Sequence, residues 1–293
     1  METVQSSSKD ELSKIETSLR AYGAGPLVNE ISLSDALNYH LKSGGKRTRA
    51  KLALKCGKLA NLSIESRNAI AVSCELLHQA SLLHDDLMDS DKLRRSSEAI
   101  WSLYGMPTAV CLGDDLIASA FAEISKINFP DSIHLPTLIK QMHSAVSQTA
   151  AGQKLDCAWG ENDLTTIEEY ERIVSYKTGP LLSLPLELTM ILKNEKTQMF
   201  KHLKKVTSAF GIAYQLLDDF EDRVADQFSQ LNGYWVFMKI TRNNDSSAKM
   251  LIDRYRWHKE TIEKSLINLP NYCHETMTDF LSILGHKHKL AGL

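Results

Sequence analysis

At 293 residues and 43% hydrophobic content the chain can bury one large core, and its 14 glycines, 7 prolines and 7% aromatics favour helix over sheet, excluding an all-β or doubly wound fold. The net charge of −2, from 34 basic and 36 acidic residues, offers no global field to nucleic acid or an anionic membrane, so an anionic ligand must be met locally. No apolar run reaches the roughly 18 residues of a membrane helix, Met1 to Arg20 holds no apolar signal segment, and five scattered cysteines lack a Cys-x-x-Cys pair, so a cytoplasmic protein without disulfides is expected.

Helical periodicity recurs almost from end to end. Breaks are predicted at Gly23 to Pro26, Ser43 to Gly45, Gly105 to Pro107, Phe129 to Pro136, Gly160 to Asp163, Gly179-Pro180, Asn232-Gly233, Asn243 to Ser247 and Pro270-Asn271. Short connections between long helical segments predict one all-α domain over residues 1–293, an antiparallel bundle of about ten helices.

In chain order, the first chemistry-bearing stretch is Gly44-Gly45-Lys46-Arg47-Thr48-Arg49, a flexible backbone beside three cations. An apolar helical run then ends in Asp85-Asp86-Leu87-Met88-Asp89, followed by Arg94-Arg95. Lys177-Thr178-Gly179 comes later, and a second apolar run ends in Asp218-Asp219-Phe220-Glu221-Asp222, with Gln215 three residues before it. On a helix, positions i and i+4 share a face, so Asp85 stands with Asp89 and Asp218 with Asp222. Such pairs repel one another, and a cation relieves the repulsion. A few carboxylates that leave room for water and phosphate oxygens suit Mg²⁺. The cations around them then point to a diphosphate ligand. Asp114-Asp115, His274-Glu275 and the basic tail from His286 to Lys289 read as structural or solvated.

The two Asp-Asp-x-x-Asp motifs and Gly-Gly-Lys-Arg-x-Arg resemble those of the trans-isoprenyl diphosphate synthases, the polyprenyl synthetase family, from about Gly44 to Asp222. The resemblance implies a helical bundle around a central cavity that joins isopentenyl diphosphate to an allylic diphosphate with Mg²⁺, as a homodimer, without nucleic acid or a membrane span. It implies that Lys46, Arg49, His78 and Arg95 hold isopentenyl diphosphate and that Arg94 and Lys177 hold the allylic diphosphate. It also implies that Asp85, Asp86, Asp89, Asp218, Asp219 and Asp222 form the metal set, and that Gln153, Asp156, Thr178 and Gln215 line the reacting centre. Helix geometry places Ala80 and Ser81 one turn before Asp85 and Leu77 about two turns before it. Short-chain members of the family carry a bulky aromatic at the level of Ala80 and Ser81; both are small here, so the resemblance implies a product of twenty carbons or more. The sequence departs from the family at Asp226 to Trp235, where a lysine-bearing loop is expected and no lysine occurs before Lys239; Arg223 is the candidate substitute. A terpene cyclase, a prenyltransferase with another acceptor, and a regulatory subunit are the competing readings.

Overall fold

A computed structural model describes residues 2–23, 33–128, 134–158, 166–224 and 231–290, with only the backbone for 2–9 and 285–290. Among these residues there are twelve helices and one two-residue hairpin, against the ten or so helices expected. Contacts divide the chain into two compact units, Met1–Met142 with Leu188–Lys193, and His143–Glu187 with Asn194–Leu293.

The first unit holds α1 (Glu2–Arg20), α2 (Leu33–Lys42), α3 (Thr48–Leu59), α4 (Ile64–Met88), β1 (Leu93–Arg94), β2 (Ser97–Glu98), α5 (Ile100–Leu103) and α6 (Met106–Ser125). Helix α4 is its axis. Residues 69–77 are buried without interruption, the pattern of a helix covered nearly all round, and α3 and α6 pack on it. Ser63 starts α4 by accepting the Ser66 N–H at 3.1 Å. At the other end Ser90 turns left-handed (φ 59), and the chain enters a hairpin whose central residues, Arg95 (φ 50) and Ser96 (φ 66), both have the positive φ that a two-residue hairpin turn requires.

The second unit contains most of α7 (His134–Cys157) and α8 (Ile167–Leu192), then α9 (Thr197–Asp222), α10 (Gly233–Thr241), α11 (Asn244–Leu266) and α12 (Asn271–Leu290). Helix α9 packs against α10, α11 and α12. The predicted break at Gly179-Pro180 does not occur: α8 runs through Pro180 and Pro185. A proline deprives the helix of one N–H, and burial of the whole run 181–191 outweighs that loss. Breaks that were not predicted fall at Asn61 (φ 55), at the hairpin and at Asn194 (φ 54). The expected breaks at Gly23 to Pro26, Phe129 to Pro136 and Gly160 to Asp163 lie partly or wholly outside the described residues.

Candidate active site

In the first unit, the turn before α3 bends through Gly44 (φ 83) and Gly45 (φ 138), leaving Lys46 exposed. Arg49 follows in the first turn of α3. Its Nε is buried and has no hydrogen-bond partner, as is true of the Nδ1 of His78 on α4. Burial pushes the His78 pKa well below its ordinary value, and Arg49, Arg95, Arg94 and His40 push the same way. Burial likewise lowers the pKa of Arg49, against the pull of Glu75, Cys74 and Asp85. Cationic groups therefore converge here, with two buried nitrogen positions left unsatisfied, and such groups favour an anionic guest.

The first aspartate motif closes α4. Asp85 is half-buried and Asp89 exposed. Asp86, expected among the metal residues, is 2% exposed and accepts the Arg94 Nε at 2.6 Å. Burial raises the Asp86 pKa, with Arg94 opposing it. The inward turn of Asp86 follows from its place on the core face of α4, and it commits Arg94 as well, so Arg94 is anchored to the motif itself. The hairpin's other guanidinium, Arg95, donates to the Gly44 carbonyl. One turn or two before Asp85, Leu77 and Ala80 lie in the buried face of α4, while half-buried Ser81 donates to the His78 carbonyl at 2.9 Å. Asp114 lies mid-helix in α6, with His84 Nε2 3.8 Å away. At that crossing a Cβ on Gly113 would stand 2.1 Å from the His84 ring.

In the second unit, α7 crosses α8 at Gly152, where a Cβ would come within 2.4 Å of the Lys177 backbone nitrogen. This closeness lets Lys177 Nζ reach Asp156 at 2.5 Å. Gln153, beside the crossing, is buried and its amide lies 3.6 Å from the Cys157 sulfur. Thr178 faces Gly211 of α9, where a Cβ would meet the threonine methyl at 3.2 Å.

The second motif closes α9 and its neighbouring aspartates face different surroundings. Asp218 is half-buried and Asp222 exposed. Asp219 is 3% exposed and accepts three hydrogen bonds, from the Tyr170 hydroxyl at 2.6 Å, the Gly233 N–H at 2.6 Å and the Gln215 amide at 2.7 Å. Burial pushes its pKa up to about 7, although all three donors oppose that shift. Asp219 therefore anchors α8, α9 and α10 to one another, and Gln215, expected at the reacting centre, is engaged with it. The segment after the motif is seated on α9 as well: Asn232 donates to the Asp219 carbonyl at 2.9 Å and Trp235 to that of Arg223 at 2.8 Å. Arg223 itself stacks on Phe220, 4.1 Å from the ring centroid. Asp226 to Gln230 lie outside the described residues.

Asp86 and Asp219 thus do not fit a metal, whereas Asp85 with Asp89 and Asp218 with Asp222 do, as carboxylate pairs one turn apart at helix ends. Among the described residues no three His, Cys, Asp or Glu side chains form a closed metal cage. Two carboxylates per motif leave room for the further oxygen ligands that a hard divalent cation takes. Sequence reasoning missed Tyr170 and Asn232, whose roles depend on contacts 49 and 13 residues away.

A family model described as polyprenyl synthetase matches residues 30–232. The chain belongs to the polyprenyl synthetase family. It is 32% identical over 219 residues to the short chain isoprenyl diphosphate synthase of Methanocaldococcus jannaschii, a match covering 75% of this chain and 65% of that protein. It is 31% identical to the geranylgeranyl pyrophosphate synthase of Geoglobus acetivorans, over 64% of this chain and 58% of the relative. The matches to these curated relatives thus span less than two thirds of their length. The solved geranylgeranyl pyrophosphate synthetase from Geoglobus acetivorans has the same fold, with a TM-score of 0.79, 21% identity, and coverage of 94% of this chain and 96% of that one. The polyprenyl synthetase match ends at residue 232, where α10 begins. No helix among the described residues is long and apolar enough to cross a membrane.

Proposed function

We propose that the chain, as one isoprenoid synthase domain over residues 1–293, joins isopentenyl diphosphate to an allylic diphosphate and forms an all-trans prenyl diphosphate of twenty carbons or more. The observation that carries this reading is the convergence of Arg49, His78 and Arg95 beside exposed Lys46, with the Arg49 Nε and His78 Nδ1 buried and unpartnered. A diphosphate set among these cations supplies their counter-charge. Neutral His78, its pKa lowered, contributes a hydrogen bond at physiological pH.

Asp85, Asp89, Asp218 and Asp222 would hold Mg²⁺, which when bound neutralises charge on the departing diphosphate. Arg94, oriented by Asp86, and Lys177, oriented by Asp156, hold the allylic diphosphate as its carbon–oxygen bond breaks and the electron pair leaves with it. The isopentenyl double bond attacks the resulting allylic cation, with the dipoles of Thr178 and Gln153 around it. The proton lost in forming the product double bond passes to the released diphosphate. Gln215 positions the second motif through Asp219. A homodimeric state, a cytoplasmic location and the absence of a nucleic-acid partner belong to the same proposal.

The test is incubation of the purified protein with radiolabelled isopentenyl diphosphate and allylic primers of ten, fifteen and twenty carbons, with Mg²⁺ or EDTA. Mg²⁺-dependent incorporation into chains of at least twenty carbons is expected. A cyclised hydrocarbon, or no incorporation with any primer, overturns the reading.

A further inference from the structure

Arg47 lies between Lys46 and Arg49 and shares their chemistry, yet unlike exposed Lys46 it is buried. It is 4% exposed and holds a left-handed backbone (φ 48, ψ 45) at the start of α3, a conformation unfavourable for a residue with a Cβ. Its guanidinium meets four acceptor oxygens and one further carboxylate. Nε and Nη2 donate to the Glu16 carboxylate of α1 at 2.5 and 3.3 Å, Nη1 to the Gly44 carbonyl at 3.2 Å and Nη2 to that of Leu41 at 3.4 Å. Glu75 of α4 stands 3.8 Å from Nη1.

Those acceptors are themselves fixed. Glu75 is buried and accepts from Gln79 at 2.7 Å and from the Ala50 N–H at 3.4 Å, and Gln79 in turn accepts from His40 at 2.9 Å. Glu16 rides on a helix seated by fully buried Ile15 and Leu19. The Gly44 carbonyl also receives Arg95, and a Cβ on Gly45 would stand 2.9 Å from Arg47 Nη1 and 2.6 Å from Arg95 Nη1. Two guanidiniums therefore grip the glycine turn, one from the core and one from the hairpin. A buried ion pair adds little net stability by itself, and a strained backbone adds to its cost. What the arrangement accomplishes is geometric.

We propose that Arg47, held by Glu16 and Glu75, is a positioning residue that locks the Gly44-Gly45 turn so that Lys46 faces outward and α3 begins with Arg49 in place. The inference rests on the reading of that turn as the isopentenyl diphosphate site. It makes α1, through Glu16, part of the binding apparatus although Glu16 does not touch substrate.

The test measures KM and kcat for each substrate, melting temperature, and tryptic cleavage after Lys46 in the full chain, for wild type, Glu16→Ala, Glu16→Gln, Arg47→Lys and Arg47→Gly. Glu16→Ala and Arg47→Lys are expected to raise KM for isopentenyl diphosphate about tenfold and speed cleavage after Lys46 by a similar factor, with kcat and the allylic KM within twofold. Glu16→Gln, which keeps one acceptor, should fall between and serves if Glu16→Ala does not fold. Arg47→Gly relieves the backbone strain yet should lose the same affinity. A lowered melting temperature with both KM values unchanged, or a uniform fall in activity toward both substrates, overturns the proposal. If the wild type turns over no isopentenyl diphosphate, the functional reading fails, and cleavage decides the clamp: acceleration in Glu16→Gln supports it and equal rates refute it.

Discussion

Asp218 and Asp219 are adjacent, chemically identical and expected to behave oppositely when replaced by alanine. Asp219→Ala strands three buried donors, those of Tyr170, Gly233 and Gln215, at about 1–3 kcal/mol each, roughly 6 kcal/mol together. It also removes a carboxyl that burial holds at a pKa of about 7 instead of 3.8, and that difference returns about 4 kcal/mol once the group would be ionised. The net loss above pH 7 is then about 2 kcal/mol. A raised carboxyl pKa means that the native state binds more protons than the unfolded chain between pH 3.8 and about 7, so this group's contribution is greatest at acid pH and is lost as pH rises through 7. The deficit of Asp219→Ala relative to wild type should therefore be larger at pH 5 than at pH 8. Asp218→Ala should leave stability unchanged or higher, because it relieves repulsion at a half-buried site, and should abolish turnover. Urea unfolding of both variants and wild type at the two pH values, with activity measured in parallel at varied Mg²⁺, provides the comparison. If Asp219→Ala unfolded at the wild-type urea concentration at both pH values but lost its metal dependence, Asp219 would be a ligand and the anchoring argument would be wrong.

Burial lowers the pKa of His40 from 6.5 to about 4, so its contribution is complete above pH 6.5 and is lost as pH falls toward 4, by about 3 kcal/mol. His40→Gln should flatten that part of the stability–pH curve in urea titrations, and an unchanged slope would show that the histidine is not neutral in the fold. Ala80→Phe, one turn before Asp85, should shorten the product by about one isoprene unit, since a helical turn rises 5.4 Å. Chromatography of the labelled products checks this, and an unchanged distribution from a folded, active variant would mean that Ala80 serves only helix packing.

Helix content, the two acidic motifs and the basic turn were legible in the sequence because each is a local pattern: a 3.6-residue period, a four-residue spacing, a glycine pair. Helix ends marked by glycine or by asparagine before glycine were legible for the same reason, as at Ser43 to Gly45 and Asn232-Gly233. Those at Asn61, Ser90 and Asn194 were not: asparagine takes left-handed backbone more readily than other non-glycine residues, but without an adjacent glycine the signal is weak, and Ser90 gives none. Pro180 misled in the opposite sense, since a proline reports its missing N–H but not the burial that keeps its helix continuous. The deeper limit lies between neighbours of like charge. Lys46 and Arg47, or Asp218 and Asp219, carry equal information in one dimension, and only tertiary structure decided which would face outward. The deciding partners come from distant parts of the chain: Glu16 and Glu75 for Arg47, and Tyr170 and Gly233 for Asp219. A charged group is buried only where opposite charge or donors meet it, and those partners are assembled by packing that no local pattern encodes.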